Sequence, residues 1–231
     1  MAVSSSNNFT ITANDLVKSS LRRIGVSSPA DQAILDGREA LNMLMKHLDS
    51  EARWLWAISG TASSLTLVAN QEFYDVTTDS LANDILRLET ADIIQGTTRK
   101  PLRIVSSHEF LDSDDRDQTS EPYGIWLEQN PDRTAQRVAF LATPSTADTV
   151  EYTYRRPLYD FDTATDSPDV PQEAIYELRL LLASEMANDY GLPLQERQLL
   201  KADAEIAKRK LISFNASGDS DTRRQLNVEY F

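Results

Sequence analysis

Two acidic residues, Asp49 and Glu51, are the side chains whose types and spacing come closest to a catalytic arrangement. A glycoside hydrolase needs two carboxyl groups at a defined separation, and an apolar pocket raises the pKa of the one that acts as the acid. The sequence indicates no such pocket, because the pair belongs to a predicted helix end with many other acids nearby. We therefore interpret both residues as solvated surface charge, and a carboxylate glycan hydrolase is kept as an alternative function.

Metal and cofactor patterns are also missing from the sequence. His47 and His108 are far apart, and neither belongs to an HExxH or similar metal-binding motif. The chain has no cysteine, which excludes disulfides and thiolate metal sites. Its seven glycines show no phosphate-loop spacing, and the acidic run 112–121 lacks the glycine and distal glutamate of a calcium loop. We expect no catalytic residue, metal or cofactor, and we interpret the acidic run as a solvated or partner-facing loop.

The charge balance limits the partners of this chain. It contains 36 acidic and 23 basic residues, a net charge of −13. An acidic surface repels nucleic-acid backbones, so we expect no general DNA binder, although DNA could lie beside the protein without being gripped. No apolar run approaches the ~20 residues of a membrane span, and the N-terminus lacks a secretion signal. We expect no membrane partner and synthesis in the cytoplasm.

The stretch from Asp169 to Phe214 predicts two antiparallel helices joined at residues 191–193. The first helix repeats apolar residues every three or four positions on two sides, which predicts packing on more than one side. The second has a single apolar stripe, formed by Leu200, Ala204, Ala207, Leu211 and Phe214. Charged residues occupy its other faces, so we expect this outer side to meet solvent or a partner.

Two more helices are predicted at the start of the chain. Thr12 can cap the first of them, and the pair Ser28-Pro29 can begin the second. The apolar stripe of the second helix continues to an expected end near residues 53–56. Trp54 and Trp56 lie at this exit, and we interpret them as a hydrophobic lid on the core.

The region between the helix pairs has the composition and short period of β-strands. Residues 64–68 and 72–76 predict a hairpin around residues 69–71. Ser106 or Ser107 can cap a short helix. Further strands are predicted at residues 85–89, 91–94, 123–127, 137–141 and 149–155.

This order of elements predicts an α+β fold. The expected architecture is a helical bundle formed by the N- and C-terminal helices, with a projecting antiparallel β domain and an extended C-terminal tail. The predicted domains are the N-terminal helices at 1–58, the β domain at 59–160, the C-terminal helical pair at 161–214 and the tail at 215–231. Leu226, Val228 and Tyr230 alternate with polar residues in this tail, a pattern typical of an extended peptide that adds to a partner.

Several short sequence segments of this chain resemble segments of a known family. No single segment identifies the family, but their order along the chain is specific. They are residues 12–16 and 21–25, the helix leading from 40–42 into 54–56, residues 73–76 and 85–88, EYTYRRP at 151–157, PDVPQE at 168–173 and YGLP at 190–193. In this order they resemble the head-to-tail adaptor proteins of tailed phages. These proteins are also called connector, tail accessory or packaged-DNA stabilisation proteins.

The resemblance implies a structural virion protein and not an enzyme. Such adaptors form a ring, commonly of twelve subunits, below the portal at the capsid vertex, where head and tail join. The ring extends the DNA channel, helps to retain packaged DNA and offers a platform for the tail. The expected partners are therefore the portal protein, a tail or nozzle protein and further copies of this chain, while double-stranded DNA passes through without specific binding. Synthesis would take place in the host cytoplasm.

The resemblance also assigns two candidate surfaces. We expect the C-terminal tail to bind the portal through Arg223, Arg224, Gln225, Leu226, Tyr230 and Phe231. We expect subunit or portal contacts at Lys201, Glu205, Lys208 and Arg209. Another neck or tail-completion protein of the virion is the alternative within the same structural class, and it would differ in its partner.

Overall fold

The computed structural model describes residues 9–51, 54–58, 61–79, 81–115, 118–130 and 135–217. These residues form two compact units. The helical unit contains the described residues up to 56 together with those from 158 onward, and the β unit contains those from 57 to 157. No described helix is long and apolar enough to cross a membrane.

The described chain is mixed α+β, as the sequence predicted. Its helices are α1 (Ala13–Arg23), α2 (Asp31–Glu51), α3 (Ser107–Leu111), α4 (Ile175–Met186) and α5 (Leu194–Ser217). Its strands are β1 (Ser63–Thr66), β2 (Phe73–Asp75), β3 (Arg87–Gln95), β4 (Thr98–Pro101), β5 (Arg103–Ile104), β6 (Thr119–Ser120), β7 (Gly124–Glu128), β8 (Arg137–Leu141), β9 (Thr143–Pro144) and β10 (Thr149–Arg155). Single turns of 3-10 helix occur at Leu55–Ala57 and Gln172–Ala174.

Two helices begin at the capping residues that the sequence predicted. At the start of α1, the backbone N–H of Asp15 donates to Thr12 Oγ1 at 3.2 Å. At the start of α3, the backbone N–H of Glu109 donates to Ser106 Oγ at 3.3 Å. Each bond satisfies an N–H group that has no partner inside its own helix. Both capping predictions are therefore confirmed.

The second helix, α2, is described as far as Glu51, and residues 52 and 53 lie outside the described residues, so its predicted end near residues 53–56 stays a prediction. The indole Nε1 of Trp54 donates to the carbonyl of Leu48 at 2.8 Å, and the Trp54 side chain is only 1% exposed. This bond satisfies a carbonyl in the last described turns of the helix. The Trp54 ring stacks on the half-buried Trp56 with 4.9 Å between centroids, which fits the predicted hydrophobic lid.

Helix α4 contacts α1, α2 and α5 within the helical unit. Its buried residues lie on several sides of the helix and are Ile175, Leu178, Leu180, Leu181, Leu182, Ala183 and Met186. The predicted packing on more than one side is therefore confirmed. The helix ends at Met186, before the predicted joint at 191–193, because tighter turns follow, such as Gly191 N–H to the Asn188 carbonyl at 3.3 Å. Tyr176, which the apolar pattern included, is 58% exposed.

The β unit contains two four-stranded sheets. The first has the order β1-β10-β3-β4 and is antiparallel throughout. The second has the order β2-β8-β7-β5, in which β5 pairs with β7 in parallel. A two-stranded pair, β6 with β9, is also parallel. The main ladders are therefore antiparallel as predicted, whereas these two short pairs are parallel.

The predicted hairpin of residues 64–68 with 72–76 does not form. β1 pairs with β10, whereas β2 pairs with β8 in the other sheet. The Tyr74 hydroxyl accepts from the Val68 N–H at 2.9 Å and donates to the Val68 carbonyl at 3.1 Å. Because this side chain satisfies both backbone groups, the chain can cross between the sheets without a ladder between β1 and β2.

The longer strands lie close to predicted positions, whereas the short strands β4, β5, β6 and β9 were not predicted. The strands β8 and β10 have the predicted limits, and β7 is shifted by one residue. One continuous strand, β3, replaces the two predicted at 85–89 and 91–94, and residues 85 and 86 precede it. In β10 the alternation is visible, since Val150 and Tyr152 are buried. Strand existence was thus easier to predict than strand pairing.

The first three residues of the predicted tail belong to helix α5. Helix α5 continues through Ser217, so residues 215–217 are helical and do not belong to a flexible spacer. The rest of the predicted tail, 218–231, lies outside the described residues. The domain limits, the bundle arrangement and the projecting β domain stay predictions.

Candidate partner-binding surface

The turn between α4 and α5 directs the path of α5. Gly191 has φ +66°, a left-handed conformation that residues with a Cβ rarely adopt. The N–H of Leu192 donates back to the carbonyl of Ala187 at 3.4 Å, as in helix ends closed by glycine. Pro193 then precedes the first residue of α5. This short connection returns the chain along α4, against which α5 packs.

One stripe of α5 is buried against the helical unit. Leu200, Ala204, Ala207 and Leu211 are each at most 6% exposed, which confirms four of the five predicted stripe residues. Phe214 is 46% exposed, so its assignment to the stripe is wrong. Because the helix continues to Ser217, Asn215 occupies the next inward position after Leu211 and is 9% exposed.

The predicted contact residues lie on the outer sides of α5. Lys201, Glu205 and Arg209 are exposed, and none of them forms an ion pair with another described residue. The four-residue steps from 201 to 205 and 209 place them along one side of the helix. Their role in subunit or portal contacts stays a prediction.

The fourth predicted contact residue, Lys208, already has a partner within the chain. Its Nζ lies 2.6 Å from Glu51 Oε1, and its side chain is 25% exposed. His47 Nε2 also lies 3.2 Å from the same carboxylate oxygen. Lys208 therefore ties α5 to the end of α2, so reversing its charge would disturb this contact before any partner is involved.

An exposed apolar flank of α5 was missed by the sequence analysis. Leu199, Ile206 and Phe214 are 69%, 50% and 46% exposed. Their separations of seven and eight residues correspond to about two helical turns each, so they lie on one side. This spacing was visible in the sequence, but the buried stripe already accounted for the amphipathic pattern.

Part of this flank forms a shallow, open surface on α5 that we call the basic groove. It is lined by Ile206, Arg209, Lys210, Ser213 and Phe214. The two cations form no ion pair with a described residue, and apolar side chains are exposed beside them. A surface of this composition is suited to an acidic, partly apolar protein partner.

The acids and histidines that could support chemistry are held in surface pairs. Glu51 contacts Lys208 and His47 as described above. The Nδ1 atom of His108 lies 2.9 Å from Asp112 Oδ2, and both side chains are largely exposed. Across the described ranges, no three His, Asp or Glu side chains are grouped in a way that could hold a metal ion.

The predicted portal-binding residues cannot be placed on this surface. Arg223, Arg224, Gln225, Leu226, Tyr230 and Phe231 lie outside the described residues. Their role stays a prediction from the sequence.

Comparison with known proteins adds a family to this geometry. A family model described as SU10 adaptor protein matches residues 11–227. This range includes every described element from α1 to α5. No curated protein matches the chain.

Proposed function

Since this chain belongs to the SU10 adaptor protein family, we propose that it is the head-to-tail adaptor of a tailed phage. The family is one of phage structural adaptor proteins, and its members work with other head or tail proteins. In the proposed role, copies of the chain form a ring that docks on the portal at the capsid vertex. The ring extends the DNA channel, helps to retain packaged DNA and carries the tail.

The observation that carries this proposal is the outer surface of α5. Leu199, Ile206 and Phe214 are exposed on a helix whose inner stripe is already buried. Arg209 and Lys210, beside Ile206 and Phe214, form no ion pair with another described residue. Exposed apolar residues that cluster beside charges are typical of protein interaction sites. An adaptor needs such surfaces because each subunit must contact its neighbours and the portal. The helical unit therefore supplies the ring and portal contacts, and the β unit contacts the tail or nozzle protein.

The charge of the chain supports the proposed channel. A ring of subunits with a net charge of −13 each has a largely acidic surface. Such a surface repels the phosphates of double-stranded DNA, so the DNA can slide without specific binding. Residues 223–231 bind the portal in this proposal, because an alternating apolar segment can add to another protein.

The proposal is tested by measuring the mass of the full chain, alone and after mixing with the portal ring of the same phage. A ring of chains on the portal is expected. If the chain does not associate with the portal at any mixing ratio, the adaptor proposal is wrong. The alternative, another neck or tail-completion protein of the virion, then replaces it. A zymogram on peptidoglycan tests the hydrolase alternative, for which we expect no clearing.

A further inference from the structure

A second groove in the helical unit has the opposite charge to the basic groove. This acidic groove lies between α2 and α4 and has a volume of about 350 Å³. It is lined by Ala40, Met43, Leu44, His47, Glu185 and Asp189. Met43 is 62% exposed, and Glu185 and Asp189 form no ion pair with a described residue. The groove thus combines an exposed apolar side chain with two free carboxylates.

The dipole of helix α5 does not account for the cations of the basic groove. Positive residues near the end of a helix can be stabilised by the helix dipole, but this effect falls off within the last turn. Arg209 and Lys210 lie about two turns before Ser217, where α5 ends. Neither side chain has an ion-pair partner among the described residues. Their adjacent charges, next to Ile206 and Phe214, are therefore available to a partner.

We propose that the basic groove of one copy of this chain binds the acidic groove of the next copy. Each groove has apolar side chains and charges of one sign, and the signs are opposite. Arg209 and Lys210 would meet Glu185 and Asp189, while Ile206 and Phe214 would cover Met43. Because the two grooves are different surfaces of one chain, the contact is head-to-tail, the kind that generates closed rings.

This inference rests on the proposed function, since a closed ring is what the head-to-tail contact explains. The inference adds which two surfaces of the chain form the contact between neighbouring copies. Pairing of two basic grooves is disfavoured, because Arg209 and Lys210 would face like charges. Pairing of two acidic grooves is disfavoured for the same reason at Glu185 and Asp189. Pairing a basic groove with an acidic groove instead places charges of opposite sign next to each other.

Cysteine cross-linking tests the contact directly, because the chain has no cysteine of its own. Met43→Cys and Ile206→Cys are prepared as separate full-length variants, and both positions are exposed. The variants are treated with a short bismaleimide, singly and as an equal mixture, with and without the portal ring. We expect linked dimers in the mixture and none in either variant alone. The double variant should give a ladder of linked oligomers beyond the dimer.

Leu111→Cys is the matched control, since Leu111 is 60% exposed but belongs to the β unit. A mixture of Leu111→Cys with Met43→Cys should not cross-link. Dimers from Ile206→Cys alone, or a double variant that stops at the dimer, would overturn the head-to-tail contact. Rings that form without any link between positions 43 and 206 would overturn this inference and leave the proposed function intact. Chains that stay monomeric even with the portal would overturn both.

A charge exchange gives an independent readout of the same contact. The variant Arg209→Glu/Lys210→Glu and the variant Glu185→Lys/Asp189→Lys should each weaken self-association by at least about tenfold, because like charges then meet. Combining all four substitutions in one chain should restore association. Failure of the combined variant to recover, while both parent variants fold and remain impaired, would contradict the pairing.

Discussion

At the residue scale, Gly37 is the position where α1, α2 and α4 approach most closely. A Cβ at this position would overlap Val17 Cγ1 and lie 3.1 Å from Met186 Cε. Val17 is fully buried in α1, so it has no open space into which to move. The absence of a side chain at residue 37 is therefore a packing requirement of the helical unit.

We predict that Gly37→Ala destabilises the protein. Helix propensity alone would favour alanine by about 1 kcal/mol, whereas forcing extra volume into a packed core costs about 1–3 kcal/mol. Because the nearest atom belongs to a buried β-branched side chain, the packing cost should exceed the gain. A net loss of up to about 2 kcal/mol in the free energy of unfolding is expected from urea denaturation.

The double variant Val17→Ala/Gly37→Ala is the control for this prediction. Removing Val17 Cγ1 makes room for the new methyl group, so the double variant should lose less stability than the sum of the single variants. If the stability losses of the two single variants simply add in the double variant, overlap with Val17 Cγ1 is not the cause of the destabilisation by Gly37→Ala.

Asp75 is a second residue whose environment has a measurable consequence. Its Oδ1 accepts from the hydroxyl and backbone N–H of Thr77 at 2.7 and 2.8 Å. The same oxygen accepts from the backbone N–H and hydroxyl of Thr78 at 2.8 and 2.9 Å. These hydrogen bonds, first of all the one from the Thr77 hydroxyl, lower the pKa of Asp75 from 3.8 to about 2. The ionised carboxylate therefore organises the turn after β2.

The pH dependence of stability should report this carboxylate. Because the pKa is lower in the folded state than in the unfolded chain, the stabilisation is complete well above pH 3.8 and is lost as the pH falls toward 2. We predict that the stability difference between the wild type and Asp75→Asn narrows over that interval. Urea denaturation at several acidic pH values measures this stability difference. Asp114→Asn is the control for the change in net charge. Parallel pH profiles for the wild type and Asp75→Asn would contradict the prediction.

At the element scale, the contact between α4 and α5 depends on small residues. Ala204 and Ala207 are 6% and 2% exposed in the buried stripe, between the larger Leu200 and Leu211. Alanines at these positions allow the two helices to approach closely. The exposed flank of α5 can face a partner only while this inner stripe holds the helix in place.

We predict that Ala207→Leu overpacks this contact and lowers the free energy of unfolding by about 1–3 kcal/mol. Ala202→Leu is the matched control, because Ala202 is exposed on the same helix. It should change stability by no more than about 0.5 kcal/mol. Thermal and urea denaturation of both variants provide the comparison, and equal losses would show that the side chain at 207 is not confined.

The elements differ in how far the sequence could predict them, for a physical reason. Helix starts depend on local caps, so Thr12 and Ser106 could be identified from a few neighbouring residues. The position of Trp54 after α2 depends on a bond from its indole to the Leu48 carbonyl, and the crossing between β1 and β2 depends on the Tyr74 hydroxyl. These are contacts of individual side chains, and the spacing of apolar residues does not predict them.

The candidate surface was predicted only in part for a related reason. Charged residues on the outside of α5 followed from the apolar stripe on its inside. The rest needed details that the stripe does not predict. Phe214 lies on an exposed side of α5 because Asn215 takes the inward position, and the helix continues about two turns past Arg209 and Lys210. The acidic groove needs two helices far apart in sequence, α2 and α4, so no local pattern could indicate it.

At the scale of the whole molecule, the C-terminal segment carries the proposed attachment to the portal. We predict that deleting residues 218–231 abolishes portal association and leaves the fold intact, because α5 ends at Ser217. Co-sedimentation with the portal ring measures binding, and circular dichroism checks the fold. Deletion of residues 1–8 serves as the matched truncation. Undiminished binding by the shortened chain would contradict the assignment of residues 223–231.

The sheet order also determines when this protein can fold during its synthesis. Strand β1 pairs with β10, the last strand of its unit, and α1 and α2 pack against α4, which follows the whole β unit. A ribosome that has made only α1, α2 and β1 has made two helices that contact each other, but not α4, which packs against both, nor the strands that complete the first sheet. Such late, non-local pairing slows folding and leaves apolar surface open meanwhile. A chain cut short before α4 should consequently aggregate or be degraded, so that only complete subunits reach assembly.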